Sequence, residues 1–284
     1  MKLHHSPTQE VTFQNHSFFI KRDDLLHPDF SGNKARKFHY FFEKEFHNIQ
    51  KIVSHGSNQS NAMYSLSVLA RLKGWKFDYY VDHVPSWLEQ NPSGNYAYAL
   101  ENGMNILKED IPKVFDQDTL FIDEGGAIKE AQYGIELLAN EITLWAKNNR
   151  YKEVNIFLPS GTGTTALYLQ KYSCFNVFTC PCVGDKKYLE QQFNALENAH
   201  HPIILPTHKK FHFGKLYKEN LEMWKQLKQQ TKIEFDLLYD PVGWQTLLQS
   251  NLMKQDIPLV YIHQGGLIGN ITMLQRYERK FYNK

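Results

Sequence analysis

Apolar residues recur along this chain in two rhythms: short runs rich in β-branched and aromatic side chains, and longer stretches at helical spacing. FFIKR (18–22) and KIVSH (51–55) read as strands, and GNKARKFHYFFEKEF between them as a helix. A helix is expected from Gln59 to about Leu72, followed by the strand KFDYYV (76–81). Further on come a helix over 129–147, the strand VNIFL (154–158) and a helix opening near Gly163. NVFTC (176–180), FDLLY (235–239) and PLVYI (258–262) read as three more strands, each followed by a helical stretch. This βαβα order predicts an α/β fold with mainly parallel sheets. At 284 residues two sheets are expected rather than one. No Pro/Gly/Ser linker separates them, which fits an inserted domain entered and left through short connections.

Charge narrows the partners. Thirty-two Lys plus Arg against 30 Asp plus Glu leaves a formal charge of +2, and the basic residues are scattered. Neither nucleic acid nor membrane is an expected partner. The N-terminal MKLHHSPTQEVTFQ has no apolar core of the secretory kind, and no stretch approaches the roughly 18 apolar residues of a membrane span. Cys174, Cys180 and Cys182 are poor material for a disulfide framework and lack a second ligand pair for zinc, so buried or half-buried thiols and no metal are expected. A reducing, cytoplasmic setting follows as the expectation.

Candidate chemistry gathers in three segments at expected strand-to-helix junctions, where open α/β sheets hold ligands. In the first, Ser31-Gly32-Asn33-Lys34-Ala35-Arg36-Lys37, Lys34 stands at a helix entrance, where the dipole disfavours an ammonium and burial would lower its pKa toward nucleophilic use. From this segment alone, a solvated basic face of Lys34, Arg36 and Lys37 is the plainer reading. In the second, Gly56-Ser57-Asn58-Gln59-Ser60-Asn61, small polar side chains at a helix start suit a bound carboxylate or phenolate oxygen, and suit helix capping equally. In the third, Ser160-Gly161-Thr162-Gly163-Thr164-Thr165, glycines and hydroxyls let backbone N–H groups converge on a phosphate. Gly161, Gly163 and Ala166 also satisfy a dinucleotide-binding spacing, so an NAD(P)-dependent oxidoreductase using residues 160–166 stays open. Its ribose-binding acid would be sought after the next strand, where Cys180-Pro181-Cys182 and then Asp185 stand.

Together and in order, these segments resemble the fold-type II pyridoxal-phosphate enzymes, the tryptophan synthase β-like group, and within it the 1-aminocyclopropane-1-carboxylate deaminase and D-cysteine desulfhydrase family. KRDDLLHPDFSGNKARK, GSNQSN, SGTGTT, DEGGAIKEAQYG (123–134), DPV (240–242) and HQGG (263–266) carry the likeness, over about residues 20 to 270. The resemblance implies a two-domain α/β fold: a large parallel-sheet cofactor domain over 1–36 and 121–284, with a smaller inserted α/β domain over 37–120. It implies pyridoxal 5'-phosphate held covalently by Lys34, Ser60 and Asn61 beside the substrate carboxylate and cofactor ring oxygen, and Gly161, Thr162, Gly163, Thr164 and Thr165 around the phosphate. The implied activity is a deaminating lyase, of deaminase or desulfhydrase type, on a small amino acid such as 1-aminocyclopropane-1-carboxylate or D-cysteine, in a homodimer. Three positions depart from the family pattern: Gly243-Trp244-Gln245-Thr246 follows DPV in place of Tyr-Glu-Gly-Lys, Phe213 replaces a tyrosine, and Gln264 replaces a threonine. A cofactor-fold protein that binds without the family reaction is the non-enzymatic alternative.

Overall fold

The computed structural model describes Leu3 and residues 5–282. The chain opens with β1 (Thr8–Phe13) and β2 (His16–Arg22), an antiparallel hairpin. Gln14 and Asn15 turn it with φ of 49° and 63°, the backbone that suits a two-residue hairpin loop. Then follow α1 (Gly32–Glu43), β3 (Lys51–His55), α2 (Asn61–Lys73), β4 (Lys76–Tyr80), α3 (Ser86–Gln90), α4 (Gly94–Glu101), β5 (Met104–Leu107) and β6 (Thr119–Ile122). The remainder holds α5 (Ala131–Asn148), β7 (Asn155–Ser160), α6 (Thr164–Tyr172), β8 (Asn176–Pro181), α7 (Lys186–Leu196) and β9 (Ile203–Ile204). Last come α8 (Lys218–Thr231), α9 (Asp240–Gln249), β10 (Leu259–His263) and α10 (Gly269–Phe281).

Two sheets result. The larger has the order β1-β2-β10-β7-β8-β9 and is parallel except for the opening hairpin. The smaller, β5-β4-β3-β6, is parallel throughout and takes its strands from residues 51–122. Central strands of the larger sheet are covered on both faces: every residue of β7 and of β10 is buried. Such strands read as continuous apolar runs rather than alternations. The architecture is the mixed α/β class with mainly parallel sheets that the pattern predicts.

FDLLY departs from expectation, because residues 235–239 form a turn rather than a strand. Their backbone donors are taken by side chains. Asp236 N donates to Asp240 Oδ2 at 2.9 Å, and Leu237 N to Asn270 Oδ1 at 2.8 Å. Leu238 N and Tyr239 N both donate to Asp236 Oδ1, at 2.8 and 2.6 Å. With those N–H groups satisfied locally, no ladder can form.

Trp244 is fully buried, stacked on Tyr261 at 4.4 Å between centroids and packed against Phe13, Phe18 and Phe235. Cys180 and Cys182 are buried as expected, whereas Cys174 is exposed, in the turn between α6 and β8. Among the described residues no helix is long and apolar enough to cross a membrane.

Candidate active site

The basic segment after Gly32 is not a solvated face. Gly32 has φ +66°, and a Cβ there would stand 2.0 Å from the Gln264 carbonyl oxygen, so only glycine lets α1 begin against the exit loop of β10. Asn33 stitches the junction, its backbone N donating to Gln264 O and its Nδ2 to Gln264 Oε1, both at 3.0 Å. One turn on, Arg36 is fully buried, donating to Asp23 at 2.8 and 3.0 Å and to Glu141 at 2.7 and 2.9 Å. Lys21 Nζ completes the cluster 2.6 Å from Glu141. These bonds fix the rotation of α1 and aim Lys34 and Lys37 the other way, into a cavity of about 400 Å³ between the two sheets. A space of that size matches ordinary cofactor and small-ligand sites.

Lys34, Ser60, Asn61, Gly161, Thr162, Gly163, Thr164 and Thr165 all line this one cavity, although more than 120 positions separate the first from the last. Burial pushes the Lys34 amine down to about 8, with the Asp236 carboxylate opposing the shift. Its hydrogen bond to Asn33 Oδ1 is a long one, 3.4 Å. An amine lowered to about 8 keeps a neutral, nucleophilic fraction at neutral pH far larger than an ordinary lysine's.

Ser60 caps α2, accepting from Ala62 N at 3.1 Å and Met63 N at 3.4 Å. Capping and cavity lining coincide in this residue, since the same hydroxyl faces the space beside Lys34. Asn61 follows as the first helical residue, its Oδ1 accepting from Asn95 Nδ2 at 2.7 Å.

The segment 161–165 follows β7 and opens α6. Gly163 has φ +75°, and a Cβ there would meet the Phe193 ring at 2.4 Å. The first turn of α6 thus turns free N–H groups toward the cavity. Among the described residues Thr165 Oγ1 is buried there without a hydrogen-bond partner, and Lys37 Nζ donates to the Gly125 carbonyl alone, at 2.9 Å. Burial, followed by repulsion from Lys34, holds the Lys37 amine well below its usual range. Among the described residues no carboxylate pairs with Lys37. A helix N-terminus, an orphaned hydroxyl and an unneutralised lysine together fit a phosphate group.

Sequence reasoning missed several wall residues. Lys37, Glu124, Asp236, Tyr239 and Asp240 line the cavity too. Lys37 was legible only as part of a basic run, Asp236 lay inside the apparent strand, and Asp240 was read only as the first residue of DPV. Burial raises the Asp236 carboxyl to about 6, against the hydrogen bonds from Tyr239 N, Leu238 N and the Asn61 side chain. Of the departures from the family pattern, Gln264 and Phe213 line the cavity, whereas Trp244 does not. A Cβ on Gly243 would press on Pro159 and the Tyr261 hydroxyl at 3.1 Å, so that position faces packing. The acid sought for a dinucleotide ribose is absent from the wall: Asp185 caps α7 through Tyr188 N at 2.9 Å.

No protein-family model matches the chain. It is 23% identical to a putative mitochondrial D-cysteine desulfhydrase 2 of rice (Oryza sativa subsp. japonica), over 93% of this chain and 81% of that protein. Among solved structures, an ACC deaminase homologue superposes with a TM-score of 0.77 at 17% identity, covering 97% of this chain and 94% of that one. The serine racemase of Dictyostelium discoideum gives 0.64 at 12% identity, with 92% of each chain covered. The chain therefore has the two-sheet α/β fold of the fold-type II pyridoxal-phosphate enzymes.

Proposed function

We propose that this protein is a pyridoxal 5'-phosphate-dependent deaminating lyase acting on a small amino acid, of deaminase or desulfhydrase type. One observation carries the reading: a lysine amine with lowered pKa and a phosphate-type anion site open into the same cavity. The chemistry supplied by the bound cofactor is electron withdrawal from the substrate's α-carbon. Lys34 holds the cofactor and, once released, carries protons to and from that carbon. The first turn of α6, with Thr162, Thr164, Thr165 and Lys37, grips the phosphate. Asn61 donates to the ring oxygen. Ser60 and the amides around it receive the substrate carboxylate, and the Ser60 hydroxyl relays a proton on that side. The smaller sheet, which lies in the inserted unit proposed for 37–120 except for the end of β6, brings Ser60 and Asn61 over Lys34 and keeps water out. Of the two reaction types, the desulfhydrase is favoured over cyclopropane ring opening, because Gly243 fills the family's tyrosine position with no side chain to offer.

Protein supplied with pyridoxal phosphate is expected to turn yellow and to lose the visible band on borohydride reduction, with the added mass on the Lys34 peptide. D-Cysteine in a panel of small D- and L-amino acids is expected to be converted, with one water, to hydrogen sulfide, pyruvate and ammonia. A protein that takes up no cofactor, or takes it up on another lysine, overturns the reading.

A further inference from the structure

Asn61 has a different kind of partner on each side of its carboxamide. On the oxygen side, Asn95 Nδ2 donates to Asn61 Oδ1 at 2.7 Å, and the same nitrogen donates to the Gln59 carbonyl at 2.9 Å. The Asn95 amide therefore cannot turn over without setting its oxygen against two acceptors. On the nitrogen side lies Gly266, where an added Cβ would stand 2.5 Å from Asn61 Nδ2 and 3.2 Å from Asp236 Oδ2. Asp236 is 4% exposed. Its Oδ1 is consumed by the N–H groups of Leu238 and Tyr239, which leaves Oδ2 as the acceptor turned toward Asn61.

A carboxamide held between an N–H donor and a carboxylate has one favourable orientation. Reversing it would set oxygen against carboxylate and amine against amine, and each buried mismatch leaves a polar group unpaired. The glycine at 266 matters to this arrangement, since any side chain there would wedge the two groups apart.

We propose that Asp236 is a positioning residue that holds the Asn61 carboxamide with its nitrogen at the cavity wall, so that Asn61 presents an N–H donor to the phenolic oxygen of the cofactor ring. The proposal rests on the cofactor reading above and extends it to a residue that acts on the ring oxygen through Asn61. Asp236→Asn keeps Oδ1 for the backbone bonds and converts the acceptor facing Asn61 into a donor.

The test compares binding of pyridoxal 5'-phosphate with that of its 3-deoxy analogue, which lacks the phenolic oxygen, by titration of the wild type and Asp236→Asn above the Lys34 value of about 8, where the amine is neutral in both. The expected result is at least tenfold weaker binding of pyridoxal phosphate by the variant, with the analogue's affinity changed less than twofold. Equal losses for both ligands would mean that Asp236 acts on the ring as a whole or on the fold, and overturn the proposal; so would no loss for either. Should Asp236→Asn fail to fold, Asp236→Ser retains a short oxygen for the backbone N–H groups, and the same selective loss is expected of it. Wild type that binds neither ligand through Lys34 defeats the cofactor reading and this proposal with it. A wild type that binds normally beside an indifferent variant defeats this proposal alone.

Discussion

Arg36 grips Glu141 with two nitrogens, at 2.7 and 2.9 Å, and neither side chain is more than 7% exposed. The pair joins α1 to α5 and is completed by Asp23, Ser6 and Lys21. Its consequence for the site is rotational: Arg36 of α1 is held in this cluster, away from the cavity that Lys34 and Lys37 line.

The cluster makes stability depend on pH with a definite sign. Burial alone would raise the Glu141 carboxyl, but hydrogen bonds and charge from Arg36 and Lys21 outweigh it and bring the group down to about 2. A carboxyl depressed in the fold stabilises above its unfolded value near 4.5, and that contribution is lost as pH falls toward 2. Glu141→Gln is expected to lower the unfolding free energy at pH 7 by on the order of 3 kcal/mol, since it strands a buried cation. The gap between wild type and variant should narrow steadily below pH 4.5, as followed by urea denaturation at several pH values.

Lys37 is expected to show opposite effects on stability and on ligand binding. Its amine is buried and, among the described residues, bonded to a single carbonyl, so the ligand-free fold bears the cost of desolvating the charge or of giving up its proton. Lys37→Met should raise the melting temperature of the ligand-free protein or leave it unchanged. The same change should weaken pyridoxal phosphate binding by tenfold or more, because the charge facing the phosphate is gone. Thermal melts with and without cofactor check both signs, and a variant that loses stability without losing affinity contradicts the assignment.

The two glycines of the phosphate-type loop should behave differently. Gly163 combines a left-handed backbone with a Cβ position 2.4 Å from Phe193, whereas a Cβ on Gly161 would meet Tyr239 at an ordinary 3.4 Å. Gly163→Ala is expected to cost on the order of 2 kcal/mol or more and to abolish phosphate-dependent stabilisation. Gly161→Ala should fold with near-normal stability. Denaturation of both variants in the presence and absence of inorganic phosphate separates the cases.

The contrast between legible and illegible parts of the site has a physical origin. Lys34, Ser60–Asn61 and 161–165 could be read because each sits where a strand ends and a helix begins, and local residue types carry the chemistry there. Asp236 could not, because what bends 235–239 away from a strand is partly a side chain 33 positions later, Asn270, which takes the Leu237 N–H. The direction in which Trp244 faces is hidden from the sequence for a related reason. A tryptophan near a motif can face either way, and only the positions of Phe13, Phe18 and Tyr261 decide that it faces the core. Lys37 and Arg36, adjacent in the chain, go to opposite destinations because the Asp23–Glu141 cluster claims one of them.

The pH dependence of cofactor uptake follows from the wall of charge around Lys34. Attack on an aldehyde requires the neutral amine, and burial lowers the Lys34 value to about 8 while Asp236 holds it up. The second-order rate of covalent uptake should therefore rise with pH, level off above about 8, and fall tenfold per unit on the acidic side. Removing the opposing carboxylate with Asp236→Asn leaves desolvation uncontested, so the midpoint should move to lower pH. A profile whose midpoint stays near the ordinary lysine value of 10.5 would show that Lys34 is solvated when it reacts. An Asp236→Asn midpoint displaced upward would show that the carboxylate does not act on Lys34 through its charge.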